Sequence, residues 1–138
     1  MEQSAIQLTE LDLRRLSSLV EGSRATEHRD AASAEQLESH LEEAEVVPTR
    51  LVGRDVVTMN SQVEVTDLDT DETVTFTLVF PRHANAAESR ISVLAPRGMA
   101  VLGRRQGAEF TWWFPAGERR LTVRRVIHQP EREGKDVA

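Results

Sequence analysis

The spacing of hydrophobic residues changes at Pro48, and this change divides the chain into two parts. Before Pro48, leucines and valines recur every three or four residues, which is typical of amphipathic helices. After Pro48, apolar residues alternate with polar ones, which is typical of half-buried strands. The pattern predicts a short helical hairpin over residues 1–47 and a sheet-containing domain over residues 48–130. The mostly polar residues 131–138 are expected to form a flexible tail.

Two helices are expected before Pro48. Leucines at helical spacing indicate a first helix over about residues 10–21, with Thr9 as its cap and Gly22 as its end. A second helix is predicted over about residues 31–46, and the polar residues between the two helices are interpreted as a turn. Two helices joined in this way pack as an antiparallel hairpin. At about 12–16 residues per helix, the hairpin reaches roughly 18–24 Å.

The second part of the chain predicts five strands and one short helix. Strands are expected around residues 63–65, 74–80, 91–93, 110–114 and 121–127, with the short helix over Pro96–Gly103. Hairpin connections between strands indicate an antiparallel sheet on which the short helix packs, so the fold class is α+β. Trp112 and Trp113 point to opposite faces of one strand. One must belong to the core, and the other is either covered by the helical hairpin or forms a contact surface.

The charge of the chain restricts its partners. Residues 1–47 hold 11 acidic and 4 basic side chains, whereas an arginine-rich stretch follows residue 90. The formal net charge of −6 argues against binding of free nucleic acid, although a local arginine patch could still contact it. Cysteine is absent, which excludes disulfides and a thiol nucleophile and fits a reducing compartment. With no apolar run of about 20 residues and no signal peptide evident, we expect a cytoplasmic protein without membrane contact.

No combination of residues predicts catalysis. Asp67, Asp69 and Asp71 imitate the start of a calcium loop, but Leu78 stands where that loop requires glutamate, so a solvated hairpin tip is the simpler interpretation. The four histidines lack the spacing of a zinc site, and no serine lies in a G-x-S-x-G turn. We therefore expect no catalytic residue, no metal site and no cofactor.

Two acidic residues, Glu27 and Asp30, are predicted at the tip of the helical hairpin. Paired carboxylates at this position could hold a metal ion for the active site of another enzyme, or they could belong to a solvated turn. The residues alone thus indicate a small α+β module, with a short acidic hairpin, that binds a protein.

Two separated motifs resemble a known family. The first is the segment 55–61 (DVVTMNS) followed by Val63. The second begins at Ile91 with the sequence ISVLAP and continues with Gly98, Ala100, Leu102, Gly103 and Gly107. Their order and spacing resemble the C-terminal domain shared by the Rnk family (regulators of nucleoside diphosphate kinase) and the Gre transcript-cleavage factors.

This resemblance implies an FKBP-like domain, in which an antiparallel sheet wraps around one short helix. Gre factors use the domain to dock at the rim of the secondary channel of bacterial RNA polymerase, and a long acidic-tipped coiled coil supplies carboxylates for magnesium. Rnk-like proteins keep the domain with a shorter coiled coil. The positions here that match the docking loop of Gre factors are Ser92, Ala95, Pro96 and Arg97, with Met99 beside them.

The function implied is that of a non-enzymatic transcription regulator that competes with Gre-type factors for RNA polymerase. A monomer is expected, and nucleic acid would be contacted only within the polymerase complex. Two alternatives remain: stimulation of transcript cleavage through Glu27 and Asp30, and control of the level or activity of nucleoside diphosphate kinase.

Overall fold

The structure is a computed structural model that describes residues 6–26 and 28–133, with side chains in the range 24–30 left undescribed. In chain order, the elements are β1 (Gln7–Thr9), α1 (Glu10–Thr26), α2 (His28–Glu42), β2 (Glu45–Val47), β3 (Gln62–Asp67), β4 (Glu72–Val79), β5 (Arg90–Ser92), α3 (Pro96–Val101), β6 (Glu109–Phe114) and β7 (Gly117–His128). We call the described residues up to Val47 the arm, and residues 48–133 the head.

The two long helices of the arm pack against each other, as predicted. The Thr9 hydroxyl caps α1 by accepting the Asp12 N–H at 2.9 Å, which confirms the predicted start of the helix. At 17 and 15 residues, the helices are about 26 and 22 Å long. None of the helices within the described ranges is long and apolar enough to cross a membrane. The buried apolar residues of the two arm helices, which belong to one core shared with the head, are Leu16, Val20, Ala34, Leu37 and Leu41.

The predicted ends of both helices are wrong. Helix α1 continues through Gly22 to Thr26, and α2 already begins at His28, so residues 22–26 and 28–30 are helical and do not belong to a polar turn. A helical glycine costs only about 1 kcal/mol, and a polar stretch remains helical when a partner helix supports it. At the other end, α2 stops at Glu42, because residues 45–47 leave the helix and form a strand.

A two-stranded parallel sheet at the base of the arm was not predicted. Strands β1 and β2 pair in register, with Leu8 opposite Val46. The first of these strands also contacts the head, since the Gln7 N–H donates to the Gly103 carbonyl at 3.0 Å. Three-residue strands show too few alternations to be detected in a sequence. Strand β1 therefore connects the arm to the head through a backbone hydrogen bond.

The head contains a five-stranded sheet in the order β5-β4-β3-β7-β6. Three of its strand pairs are antiparallel, as predicted, but β5 runs parallel to β4, with Ile91 opposite Leu78. The prediction of a wholly antiparallel sheet is therefore wrong, because residues 80–89 cross over instead of turning back as a hairpin. The inner face of the sheet and α3 share one core, which contains Val63, Val65, Phe76, Leu78, Met99, Ala100, Leu121 and Val123.

The acidic stretch and the arginines, which are separated along the sequence, meet on neighbouring strands. Arg119 lies 3.6 Å from Asp67, and Arg125 lies 3.5 Å from Glu64. The Asp67 carboxylate also accepts the Asp69 N–H at 2.9 Å, which makes the segment after β3 a hydrogen-bonded tip. The interpretation of this segment as a hairpin tip is confirmed, and these two arginines are already paired with carboxylates.

Candidate functional site

The loop between β5 and α3 is the first candidate site, because it carries the second sequence motif. The Ser92 hydroxyl accepts the Leu94 N–H at 2.9 Å, and the Ser92 carbonyl accepts the Ala95 N–H at 3.0 Å. Pro96 then begins α3, at a helix position where the missing N–H of proline is not needed. The result is a tight turn that presents a proline at the surface.

The structure brings four of the five predicted docking residues together at this turn. Pro96 is exposed, while Ser92, Ala95 and Arg97 are half-buried. Met99 differs, because only 1% of it is exposed. Its side chain lies on the inner face of α3 and packs against the sheet, so it supports the loop from below and offers no contact surface. The sequence placed Met99 beside the loop, but did not give the orientation of so short a helix.

Two glycines of the motif hold the loop and the arm in place. A Cβ atom added to Gly98 would lie 2.3 Å from the Ser92 carbonyl oxygen, so α3 can approach the loop only with glycine at this position. Gly103 has a φ of +82°, and a Cβ atom there would lie 2.8 Å from the Cβ of Ile6. The motif therefore encodes close backbone packing, first of α3 on the β5–α3 loop and then of the head on the base of the arm.

A buried carboxyl group joins α1 to the head. Asp12 is 1% exposed, and its carboxylate accepts the Met59 N–H at 3.0 Å. Burial raises the pKa of Asp12 to about 7; the Met59 hydrogen bond and Arg15 oppose this rise, and the nearby Glu131 carboxylate adds to it. The sequence predicted Asp12 only as part of a helix start, and its partner in the head is 47 residues away.

Glu131 extends the same junction. One of its carboxylate oxygens accepts the Thr58 hydroxyl at 2.7 Å, and Thr58 in turn lies 2.9 Å from the Ser61 hydroxyl oxygen. The second carboxylate oxygen of Glu131 is buried, and no hydrogen-bond partner for it lies within the described ranges. The arm, the loop before β3 and the turn after β7 thus meet at one polar junction.

A buried histidine joins α2 to the head. The Nε2 atom of His40 lies 3.1 Å from the Leu102 carbonyl oxygen, and its ring meets the edge of Trp112 at a centroid distance of 5.2 Å. Burial lowers the pKa of His40 to about 4, with a further contribution from Arg104. Neutral His40 therefore donates its Nε2–H to Leu102. Trp112 packs on the core beneath the arm, whereas Trp113, on the opposite face, is 66% exposed.

The predicted acidic tip of the arm falls on residues whose side chains are not described. Glu27 lies outside the described residues, and the backbone of Asp30 belongs to α2 but its side chain is among those left undescribed. Their pairing stays a prediction.

The architecture of a sheet-and-helix head with a two-helix arm is shared with a class of transcription elongation factors. Residues 52–128 match the family described as "Transcription elongation factor, GreA/GreB, C-term". The solved structure of the "Prokaryotic transcription elongation factor GreA/GreB" from Nitrosomonas europaea is similar at 34% identity and a TM-score of 0.68, covering 90% of this chain and 98% of that chain. The chain belongs to the GreA/GreB C-terminal family.

Two further relatives define the branch. The "Regulator of nucleoside diphosphate kinase" of Escherichia coli (strain K12) is 33% identical over 135 residues, which cover 97% of both chains. The "Transcription elongation factor GreA" of Desulfotalea psychrophila is 36% identical over 87 residues, which cover 63% of this chain and 54% of that protein. The match extends along the whole regulator, but along only about half of the elongation factor. These names describe a regulator and an elongation factor rather than enzymes.

Proposed function

We propose that this protein is a non-enzymatic transcription regulator that binds RNA polymerase at its secondary channel and competes there with Gre-type elongation factors. The observation that carries this proposal is a Gre-like head on an arm whose helices have only 17 and 15 residues. The proposal includes an FKBP-like head, a coiled-coil arm and a monomeric protein that acts in the cytoplasm, where transcription takes place.

The proposed docking surface is the loop formed by Ser92, Ala95, Pro96 and Arg97, with Met99 beneath it. An exposed proline on a hydrogen-bonded turn is rigid before binding, so little conformational entropy is lost when a partner covers it. The half-buried Arg97 next to it adds a positive charge. Within the described part of the chain, none of the recorded ion pairs engages Arg97.

The length of the arm supports inhibition rather than cleavage. At about 1.5 Å per residue, α1 spans about 26 Å. The resemblance attributes a longer coiled coil to Gre factors, which carries carboxylates to the catalytic magnesium. An arm that ends short of that ion occupies the entrance to the channel without supplying the chemistry.

The proposal is tested with purified core RNA polymerase and stalled elongation complexes. We expect the labelled protein to bind the polymerase and to slow RNA cleavage stimulated by a Gre factor. Arg97→Glu should weaken both effects about tenfold, whereas Arg124→Glu, an equal charge change on an exposed residue of β7, should not. Absence of binding by the wild-type protein would refute the proposal. RNA shortening by the protein alone, lost in Glu27→Ala/Asp30→Ala, would instead support the cleavage alternative.

A second candidate is control of nucleoside diphosphate kinase, as the name of the full-length relative suggests. Kinase activity and kinase protein are measured in cells with and without this protein, together with binding of the two purified proteins. A change in the amount of kinase without binding would indicate control through transcription, which agrees with the first proposal. Direct binding would favour the second.

A further inference from the structure

A groove of about 600 Å³ lies between α1 and the turn that follows β4. Its apolar part is formed by Leu19 of α1 and by Phe80 and Pro81 of the head. Its polar part includes three basic side chains, which are Arg15, Arg82 and His83. The combination of apolar contacts and positive charges is suited to a peptide segment that has one apolar side chain among carboxylates.

The positive charge of Arg82 in the groove differs from the charges of Arg119 and Arg125 in the sheet, which are paired with carboxylates. Arg82 and His83 are exposed, and neither takes part in an ion pair recorded for the described part of the chain. A carboxyl group that interacts with Arg15 is that of Asp12, and burial raises the pKa of Asp12 to about 7. Asp12 is therefore only partly ionised at neutral pH, so it cannot fully neutralise Arg15. No acidic side chain within the described ranges lines the groove.

The groove adjoins the proposed docking loop. The Val93 N–H donates to the Val79 carbonyl at 2.9 Å, which places Phe80 next to the chain that enters the β5–α3 loop. The turn over Pro81–His83 also packs against β5. The groove therefore lies beside the strand that leads into the proposed docking loop.

We propose that this groove holds an acidic segment of RNA polymerase, with an apolar side chain of the segment against Leu19 and Phe80, and its carboxylates between Arg15, Arg82 and His83. The inference rests on the proposed function and extends the contact surface from the head onto the arm. The chain carries a net charge of −6, so a local basic groove selects where on the molecule an acidic partner can bind.

Two adjacent serines provide a matched pair of variants. Ser17 and Ser18 are both exposed on α1, but Ser18 lines the groove, while Ser17 faces only the neighbouring depression beside Leu13 and Glu21. Glutamate is a good helix former, so both substitutions should leave the fold intact. We expect Ser18→Glu to weaken binding of core polymerase about tenfold, because it adds a carboxylate to the site. Ser17→Glu should bind as the wild-type protein does.

A second pair tests the head side of the groove. Arg82→Glu should also weaken binding about tenfold and reduce its dependence on salt, since screening acts on the charge pairs that are lost. Arg124→Glu is the control, because it makes the same charge change on β7, which is separated from β5 by β4 and β3 in the sheet. If the wild-type protein does not bind polymerase, the proposed function fails and this inference fails with it. If it binds and all four variants bind equally well, the groove proposal alone is wrong.

Discussion

Asp12 and His40, one on each arm helix, show at the residue scale how the arm is fixed to the head. Burial shifts their pKa values in opposite directions, to about 7 for Asp12 and to about 4 for His40. Between these values both side chains are neutral, and each still makes its hydrogen bond to a head backbone group. At these two positions the arm is therefore held by polar contacts between neutral groups, and neither contact carries the desolvation cost of a buried charge.

Replacement of Asp12 by asparagine should change the pH dependence of stability. The folded-state pKa is raised from 3.8 to about 7, so the folded protein binds this proton more tightly than the unfolded chain does. The resulting stabilisation is complete below pH 3.8 and is lost as the pH rises to about 7. The substituted asparagine cannot titrate, and its carbonyl oxygen can still accept the Met59 N–H. Relative to wild type, Asp12→Asn should therefore gain about 1–4 kcal/mol of unfolding free energy between about pH 4 and about pH 8.

The measurement is urea unfolding of both proteins from about pH 4 to about pH 8.5, a range that covers the loss of this stabilisation. Glu131 and Arg15 face Asp12 and are present in both proteins, so they do not create the difference. Asp55→Asn is the control, because Asp55 pairs with Arg105 at the surface and its side chain is 46% exposed. A stability difference between wild type and Asp12→Asn that stays constant with pH would show that Asp12 is not protonated in the folded protein.

At the scale of elements, α3 depends on one glycine for its position. In Gly98→Ala the new methyl group meets the Ser92 carbonyl oxygen, and a backbone atom cannot move aside as a flexible side chain does. We expect a loss of about 1–3 kcal/mol in stability, together with weaker polymerase binding, because the displaced backbone belongs to the proposed docking loop. Gly22→Ala is the matched control: nothing lies within 4 Å of its added Cβ atom, and alanine should stabilise α1 by about 0.5–1 kcal/mol.

Thermal and urea unfolding of the two alanine variants measure these effects, and a polymerase titration measures binding. No loss of stability in Gly98→Ala would contradict the proposed packing of α3 on the loop, whereas a loss in Gly22→Ala would contradict only the open space assigned to that control position. A Gly98→Ala protein that is destabilised yet binds normally would show that the loop keeps its shape independently of α3.

The elements differ in how far the sequence could reveal them. The strands β3, β4, β6 and β7 were found because each has several alternating residues and a turn at one end. The ends of the arm helices were missed, since polarity around Gly22 does not break a helix that packs on a neighbour. Strands β1 and β2 depend on pairing between residues 7–9 and 45–47, which no local pattern signals. The same holds for the direction of β5, which is set by how residues 80–89 cross over.

The candidate site was predictable in one part only. The docking loop has a local motif, because serine, proline and two glycines each satisfy a backbone requirement at a fixed spacing. The arm–head junction has none, since Asp12 and His40 find partners 47 and 62 residues away. Asp12 differs from the other acidic residue in the first turn of α1, Glu10, only by being buried, and burial cannot be recognised without the fold.

On the scale of the whole molecule, the proposed function requires the head and the arm to act together. The head resembles that of Gre factors, so both would use one place on the polymerase, and the polar junction fixes the direction of the arm. Binding of this protein and of a Gre factor should then be mutually exclusive. The concentration of this protein that halves Gre-stimulated RNA cleavage should rise in proportion to one plus the ratio of Gre concentration to its Kd.

Stalled elongation complexes measure this relation when the protein is titrated at several fixed concentrations of a Gre factor. A tenfold rise in Gre concentration above its Kd should raise the half-inhibiting concentration about tenfold, because each factor displaces the other by mass action. The variant Ser18→Glu should raise the half-inhibiting concentration by the same factor at every Gre concentration. Its affinity for the polymerase is weaker, but it still competes with the Gre factor. A half-inhibiting concentration independent of the Gre factor would place this protein at a different surface of the polymerase and would contradict a shared binding site.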